Sequence, residues 1–236
     1  MNAMQHTRAN SFDGVVHSRR ASAVTDKSPN HDNHDSYGFW PDGRLLMVAD
    51  GVSSDPWAKD ASEAAVLGAL QARGSMGDRF RAAQAHCRKE APGSGTTLVA
   101  AYLRTSAPLA IFRGVGDSQG FVLHHGGHMT VALDLDNDGN FLRRWIGDGR
   151  SFGHDVEVPV QSGEWVMLCS DGLDGYVPRE TIRSLLDYYH AQRIDSRQRR
   201  EMALRALLAA ARSHGSQDDV TILIGEGKIG GLSTNL

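Results

Sequence analysis

The sequence predicts an α+β fold, and two observations support this prediction: the order of its strand-like and helical segments, and its composition. Strand-like runs follow one another in groups, helical segments occur in pairs, and the two kinds do not alternate strictly as a doubly wound sheet requires. The chain has 236 residues, 40% of them hydrophobic, and 26 glycines. This composition is typical of a globular domain with a sizeable core and excludes disorder of the whole chain.

The first part of the chain has no clear periodicity. Residues 1–30 are polar, with scattered charges and histidines, and we expect a flexible N-terminal arm there. We expect a single domain over residues 31–226 and a short tail over residues 227–236. No internal repeat interrupts this organisation.

The predicted elements begin with RLLMVAD at residues 44–50, an apolar run that ends in an Asp-Gly turn and is typical of a buried strand. Residues 61–72 and 78–91 have helical spacing, with Gly74 and Gly77 between them. The sequence therefore predicts a pair of helices after this strand.

The middle of the chain is rich in strand-like runs, which short turn sequences separate: TTLVAAYL, LAIFRGV, QGFVLHH, EVPV and EWVMLCS. Two helical segments follow, ETIRSLLDYYHAQR and SRQRREMALRALLAAARSH, and VTILIG closes the pattern as a last strand. The sequence thus predicts antiparallel strands in the middle and a second helical pair near the end.

Charge and composition exclude several classes of protein. With 25 Lys and Arg against 28 Asp and Glu, the formal net charge is −3, and no basic stripe suggests a nucleic-acid partner. No apolar stretch predicts a membrane span or a signal peptide. Cys87 and Cys169 are too few for a disulfide framework, and Cys169 lies in an apolar run that favours a buried thiol. We therefore expect a monomeric cytoplasmic protein without a membrane or nucleic-acid partner.

Aspartates recur at the ends of the strand-like runs, beside Gly, Ser or Asn. Each alone is most simply a turn residue that bonds its own backbone. Carboxylates on strand ends are also held rigidly and suit a hard divalent cation, which prefers oxygen ligands. Because the pattern repeats, the set favours a metal site: Asp35, Asp50, Asp117, Asp171 and Asp218.

These aspartates lie in ordered motifs that resemble the metal-dependent Ser/Thr protein phosphatases of the 2C type, especially the compact bacterial ones. The motifs span about residues 30–225 and appear in the order of that family. They are N-H-D-S (33–36), V-A-D-G (48–51) with A-S-E-A-A (61–65), G-T-T-L (95–98), G-D-S (116–118), C-S-D-G-L (169–173) and D-D-V-T (218–221).

The resemblance implies a central antiparallel β-sandwich flanked by helical pairs, in αββα layers, with two Mn or Mg ions at one end. It implies that Asp50 bridges both ions with help from the Gly51 carbonyl, and that Asp35 and Asp171 complete the shells. Asp218 would bind the ion on the far side, and Asp117 a weaker third ion. These ions would activate a water that attacks phosphoserine or phosphothreonine directly, in a phosphoprotein made by an opposing Ser/Thr kinase.

The first motif departs from the family because N-H-D occurs twice, at residues 30–32 and 33–35. The second copy favours Asp35 over Asp32 as the ligand. The first copy places Lys27 where the family has a phosphate-binding Arg, so Lys27 is a candidate phosphate contact. His34 is a candidate substrate-binding residue and proton donor to the leaving group.

Other departures favour a second hypothesis, a regulatory binding module of the same fold without turnover. Ser53 and Ser54 replace two glycines, Gln119 replaces an Arg, and the interval from Asp117 to the W-I-G at 145–147 is short for the family. That interval carries the family's flap, so we expect a more open cleft.

Three further patterns are better explained structurally. The EF-hand-like run at 134–139 has Trp145 where a calcium loop needs Glu, which favours a hairpin or loop turn. His124, His125 and His128 flank Gly126 and Gly127, which favours a hairpin tip over a zinc site. The charge run at 197–201 is typical of a solvated helix face.

Overall fold

The computed structural model describes residues 15–52, 55–134, 137–138, 141–150 and 152–228. Within them the chain forms thirteen strands and five helices. The strands are β1 Val16–His17, β2 Ala21–Asp26, β3 Asp35–Phe39, β4 Leu45–Asp50, β5 Leu98–Leu103, β6 Leu109–Val115, β7 Gln119–Leu123, β8 Met129–Val131, β9 Asn137–Asp138, β10 Phe141–Leu142, β11 Val156–Pro159, β12 Trp165–Cys169 and β13 Val220–Glu226. The helices are α1 Ala58–Gln71, α2 Met76–Glu90, α3 Asp171–Asp174, α4 Arg179–His190 and α5 Ser196–Ser213.

Two antiparallel sheets face each other at the centre of the molecule. The first has the strand order β1-β2-β13-β12-β7-β8 and the second the order β11-β6-β5-β4-β3. Helices α1 and α2 pack on the outer face of the second sheet, and α4 and α5 on the outer face of the first. This arrangement of αββα layers confirms the predicted α+β fold with its sandwich and helical pairs.

Side-chain alternation along the central strands divides the core into three layers. In β12, Trp165, Met167 and Cys169 face the helices, whereas Val166 and Leu168 face the interior of the sandwich. Both faces of the strand are buried, which explains its continuous apolar sequence. Cys169 is a buried free thiol, as predicted.

The first helical pair is present, but its helices begin earlier than the sequence predicted. Helix α2 starts after Ser75, whose hydroxyl accepts a hydrogen bond from the Asp78 amide while the Asp78 carboxylate accepts one from the Ser75 amide. This reciprocal cap stabilises the first turn. The predicted start at residue 78 was therefore the third residue of the helix.

The predicted N-terminal arm and domain boundary are wrong for residues 15–30. Strand β2 lies between β1 and β13, with six residues in register from Asp26 opposite Val220 to Ala21 opposite Gly225. The domain therefore starts before residue 31. Residues 1–14 of the arm and 229–236 of the tail lie outside the described residues. Gly227 still exchanges backbone hydrogen bonds with the turn before β12, so the predicted tail starts too early.

The predicted solvated face at 197–201 is also partly wrong, because Arg200 is completely buried. Its guanidinium donates hydrogen bonds to the Glu226 carboxylate at 2.7 Å and to the Ser22 hydroxyl at 3.2 Å. Arg200 thus joins α5 to β2 and β13. Pairing with Glu226 compensates part of the cost of burying the charge.

Both predicted hairpins are present. Gly126 and Gly127 form the turn between β7 and β8 with positive φ angles of 86° and 79°. Strands β9 and β10 pair with Phe141 opposite Asp138 and Leu142 opposite Asn137. None of the helices in the described ranges is long and apolar enough to cross a membrane.

Candidate metal centre

The predicted aspartates meet because four strand ends lie at one end of the sandwich. Asp35 begins β3 and Asp50 ends β4, and antiparallel pairing places the two residues directly opposite each other. Asp171 follows the end of β12, and Asp218 precedes the start of the neighbouring strand β13. Both sheets therefore contribute acidic residues to the same edge.

A cleft of about 690 Å³ opens at this edge. Loops that follow β4, β6 and β10 contribute to its walls, together with the start of α3. The lining residues are Asp50, Gly51, Val52, Asp55, Pro56, Gly93, Gly95, Thr97, Asp117, Leu142, Trp145, Asp171 and Asp218. Within the described part of the chain, no Lys or Arg lines this cleft.

The backbone of Asp50 is fixed by the neighbouring strand segment. Its amide donates a hydrogen bond to the Thr97 hydroxyl at 2.9 Å, and its carbonyl accepts from the Thr97 amide and the Thr96 hydroxyl, both at 2.8 Å. The Thr97 hydroxyl in turn pairs with Ser118 at 2.7 Å. These contacts hold the backbone, so the Asp50 carboxylate can face the cleft from a rigid support.

Asp35 is buried beside Asp50. The Ser170 hydroxyl donates a hydrogen bond to Asp35 Oδ2 at 2.7 Å, and the Thr221 amide donates one to the Ser170 oxygen at 3.0 Å. The other carboxylate oxygen, Asp35 Oδ1, is buried without a hydrogen-bond partner. One oxygen of this carboxylate is therefore oriented by the protein, and the other is available to a ligand.

The two Asp-Gly motifs of the centre are explained by close backbone contacts. A Cβ atom at Gly51 would lie 2.2 Å from the Ala58 carbonyl oxygen at the start of α1. One at Gly172 would lie 1.9 Å from the Asp219 carbonyl oxygen. Only glycine allows these loops to pack so closely beside the acidic residues.

Burial and mutual repulsion raise the pKa values of the clustered carboxyls. Burial, with the charges of Asp35, Asp171 and Asp218, raises the pKa of Asp50 well above its usual range. Burial and the neighbouring acids also raise the pKa of Asp35, against the hydrogen bond from Ser170. Burial, Asp117 and Asp218 raise the pKa of Asp171 to about 6. The ionised carboxylates are therefore unfavourable on their own, and a bound cation would stabilise them.

The residues present fit divalent cations such as Mn²⁺ or Mg²⁺. The donor set consists of carboxylate oxygens and the Gly51 carbonyl, which are the ligands that hard cations prefer. Asp35 Oδ1 and Asp171 Oδ1 are both buried without a hydrogen-bond partner. Buried polar atoms without a partner are rare in folded proteins, and bound ions are one common explanation.

The structure brings together most of the predicted site residues, but not all. Asp50, Gly51, Asp117, Asp171 and Asp218 line the cleft, and Asp35 adjoins it through its strand pairing. Asp32, the alternative to Asp35, is exposed. The geometry therefore favours the second copy of the N-H-D motif, and Asp35 as the ligand stays a prediction.

The substrate-binding predictions for Lys27 and His34 find no support in the geometry. Lys27 is exposed after β2, and neither residue lines the cleft. The His34 ring stacks on the His31 ring instead, at 4.8 Å between ring centroids. The reason is local: His34 precedes β3, so its side chain leaves the backbone on a different side from the neighbouring Asp35.

Two lining residues were not singled out from the sequence. Asp55 adds a carboxylate to the cleft. Trp145 packs over Gly95, where a Cβ atom would lie 2.1 Å from the indole Cδ1. This contact joins the W-I-G motif to the glycine of G-T-T-L. The sequence shows both motifs, but only the structure shows that their two loops pack against each other.

The fold and the acidic cleft agree with the resemblance to metal-dependent phosphatases of the 2C type that the motifs indicate. No protein-family model matches the chain. It is 28% identical over 158 residues to the serine/threonine phosphatase stp of Listeria monocytogenes, covering 57% of this chain and 57% of that protein. It is 26% identical over 232 residues to the serine/threonine protein phosphatase PstP of Mycobacterium tuberculosis, covering 82% of this chain and 42% of that protein. The chain therefore spans about half the length of the curated relatives it matches.

Solved structures share the fold. The M. tuberculosis phosphatase PstP superposes with a TM-score of 0.73 at 21% identity, over 89% of this chain and 98% of that one. PppA of Pseudomonas aeruginosa gives a TM-score of 0.74 at 20% identity, with the same coverage. The PstP catalytic domain in complex with two manganese ions gives 0.69 at 24% identity, over 88% of this chain and 97% of that one. The resemblance predicted from the motifs is confirmed: the chain has the 2C-type fold and is similar in sequence to bacterial phosphatases.

Proposed function

We propose that this protein is a metal-dependent phosphatase that hydrolyses phosphoserine and phosphothreonine in proteins. The observation that carries the proposal is the clustering of Asp35, Asp50, Asp171 and Asp218 at one edge, with two buried oxygens that lack partners. The names of the sequence relatives and the two manganese ions of the PstP catalytic domain support the same activity.

Bound at this centre, two Mn²⁺ or Mg²⁺ ions would supply an activated water nucleophile and positive charge for the transferring phosphoryl group. Asp50, at the end of β4, and the Gly51 carbonyl would help to hold both ions. Asp35 and Asp171 would complete the coordination, and Asp218 would contribute a ligand from the start of β13. Asp117, in the loop between β6 and β7, would hold a weaker third ion.

The departures from the family do not remove any part of this centre. Gln119 is buried in β7, where its side-chain oxygen accepts a hydrogen bond from the Gly120 amide, and it does not line the cleft. The loop that contains Asp55 and Pro56 does border the cleft and therefore affects access rather than coordination. We infer that the substrate is a phosphoprotein made by a Ser/Thr kinase, and that the short flap leaves room for a folded partner.

The second candidate is a regulatory module that binds metal without turnover. Retention of the acidic set argues against it, since a decayed site loses ligands first. Hydrolysis of a phosphothreonine peptide, with and without millimolar Mn²⁺, separates the two. Activity that requires Mn²⁺ and is lost in both Asp50→Ala and Asp171→Ala supports the phosphatase. Mn²⁺ binding with no turnover above that of the variants supports the module. A monomeric state and a cytoplasmic location remain predictions.

A further inference from the structure

We propose that His31, His34 and Asp219 form a separate binding site for a transition-metal ion, with Zn²⁺ as the matching cation. One imidazole nitrogen from each histidine and one Asp219 oxygen lie within 4.8 Å of one another. None of the three residues lines the acidic cleft, and the inference does not depend on the proposed phosphatase activity.

The two imidazole rings lie against each other. They stack at 4.8 Å between centroids with 17° between their planes. An imidazole binds a metal in the plane of its own ring, so one of the two rings must turn before both can reach the same ion. Zinc ligands with bonds of about 2.0 Å lie roughly 3.3 Å apart in a tetrahedral site. Because the His31 side chain is 31% exposed, rotation of this ring can close the remaining gap and also admits the ion.

Asp219 is held in place for such a role. The Ser28 amide donates to Asp219 Oδ1 and the His34 amide donates to Asp219 Oδ2, both at 2.6 Å. Each carboxylate oxygen can accept more than one bond, so a second lone pair stays available on each. The side chain is only 3% exposed, and its charge there is poorly solvated. A bound cation would compensate that charge.

The ring nitrogens of the two histidines have different partners in the absence of an ion. His31 Nδ1 lies 2.8 Å from the Asp32 carbonyl oxygen and 3.7 Å from Asp219 Oδ2. Because Nδ1 is the nitrogen that faces Asp219, coordination through this atom would replace its contact with the Asp32 carbonyl. His34 Nδ1 is buried with no hydrogen-bond partner.

The chemistry of these ligands distinguishes the site from the acidic cleft. The cleft offers oxygen atoms only, which suits Mn²⁺ or Mg²⁺. Two imidazole nitrogens with one carboxylate suit Zn²⁺ and leave one coordination position for water. His34 and Asp219 are the chain neighbours of Asp35 and Asp218, so an ion here would brace the two segments that carry those ligands.

The test is Zn²⁺ binding to the full chain, followed by ring ¹H–¹⁵N NMR of the histidines in the presence of excess Mg²⁺. We expect one equivalent of Zn²⁺ to shift the ring-nitrogen resonances of His31 and His34, and to leave the exposed His154 unchanged. The same shifts should appear in Asp171→Ala, in which the acidic centre is weakened. His31→Ala should lower the Zn²⁺ affinity at least tenfold, while His154→Ala, the matched control, should not.

Two results would overturn the proposal. One is Zn²⁺ binding that leaves both ring resonances in place. The other is a folded His31→Ala protein that binds Zn²⁺ as tightly as the wild type. Neither result bears on phosphatase activity. Conversely, Zn²⁺ binding as expected in a protein without Mn²⁺-dependent turnover would refute the proposed function alone.

Discussion

The two ends of strand β12 carry acidic residues in opposite situations. Glu164 precedes the strand and Asp171 follows it. Glu164 accepts hydrogen bonds from the Gln161 amide at 2.7 Å and the His125 amide at 3.0 Å, and it contacts His124 Nδ1 at 3.2 Å. Burial alone would raise its pKa, but these donors outweigh burial and lower it.

At the other end, Asp171 lies among further acids, and the hydrogen bond from the Gly172 amide does not outweigh burial and their charges. Its Oδ1 atom is buried with no hydrogen-bond partner, and its pKa is raised to about 6. The two carboxylates flank the same strand, so the strand itself does not explain the difference. The protein supplies the partners of Glu164, whereas Asp171 Oδ1 has no hydrogen-bond partner within the described part of the chain.

This difference separates a structural carboxylate from a functional one on physical grounds. A buried charge that the fold itself satisfies stabilises the fold. A cluster of buried charges that repel one another destabilises the metal-free fold and is maintained for a ligand. The comparison therefore predicts opposite consequences of removing charge at the two ends.

The largest effect is expected from Asp171→Asn. A neutral amide is a poorer metal ligand, so we expect Mn²⁺-dependent hydrolysis to fall roughly 100-fold or more. The metal-free variant should be at least as stable as the wild type, because a repelling charge is removed. Phosphopeptide kinetics and thermal unfolding in a chelator measure the two effects.

The matched control is Asp174→Asn, on the same short helix, because Asp174 pairs with Arg179 and does not line the cleft. It should retain most of the activity of the wild type. An Asp171→Asn protein with wild-type activity would contradict the role of this end of β12.

The next largest effect is on the pH dependence of the metal-free protein. The pKa values of Asp35, Asp50 and Asp171 are raised in the fold, so their contribution to stability is complete below about pH 4, the unfolded-state value. It is lost as pH rises through about 6, where Asp171 ionises, and further above that. Between pH 5 and 7.5 we expect a loss on the order of 2 kcal/mol in the free energy of unfolding.

Urea unfolding in a chelator measures this loss, and saturating Mn²⁺ at pH 7.5 should recover it by binding only the folded state. Asp171→Asn should flatten the profile. If the stability of the metal-free protein stays constant or rises over this pH range, the buried carboxyls do not repel one another enough to destabilise the fold.

A third effect concerns Glu164, at the end of β12 where the carboxylate has hydrogen-bond partners within the protein. Glu164→Gln replaces an acceptor by an amide that faces backbone donors, so we expect a loss of about 2 kcal/mol in stability. Activity per folded molecule should remain unchanged. Glu157→Gln, at an exposed position of β11, is the control and should have little effect on unfolding. A Glu164→Gln protein as stable as the wild type would remove the contrast between the two ends.

Much of the fold could be predicted because its signals are local. The apolar runs of β4, β12 and β13 and the periodicity of the helices each identify an element without knowledge of its neighbours. Strand β2 was missed because Ser22 and Thr25 interrupt its apolar sequence. Their hydroxyls bond Arg200 and Thr221, which lie 178 and 196 residues away. Such distant partners cannot be inferred from local sequence, and the same reason made Arg200 appear solvated.

The acidic centre could be predicted for a related reason. Strand ends at one edge of a sandwich converge by topology, so Asp50, Asp171 and Asp218 could be grouped before their distances were known. Asp55 and Trp145 could not, because loops without regular structure determine their positions. The geometry does not support the prediction for Lys27, which rested on spacing to the first N-H-D copy, whereas the second copy enters the sheet.

The smallest effect therefore concerns Lys27. Its side chain is exposed and outside the cleft, and only its backbone carbonyl has a defined role, accepting a hydrogen bond from Arg212 at 2.9 Å. Lys27→Ala preserves that carbonyl. We expect KM for a phosphothreonine peptide to change by less than about twofold, corresponding to ~0.5 kcal/mol. Lys228→Ala, after the last strand, is the matched control. A tenfold rise in KM for Lys27→Ala alone would show that this lysine reaches the substrate, and that phosphate recognition extends beyond the acidic end of the sandwich.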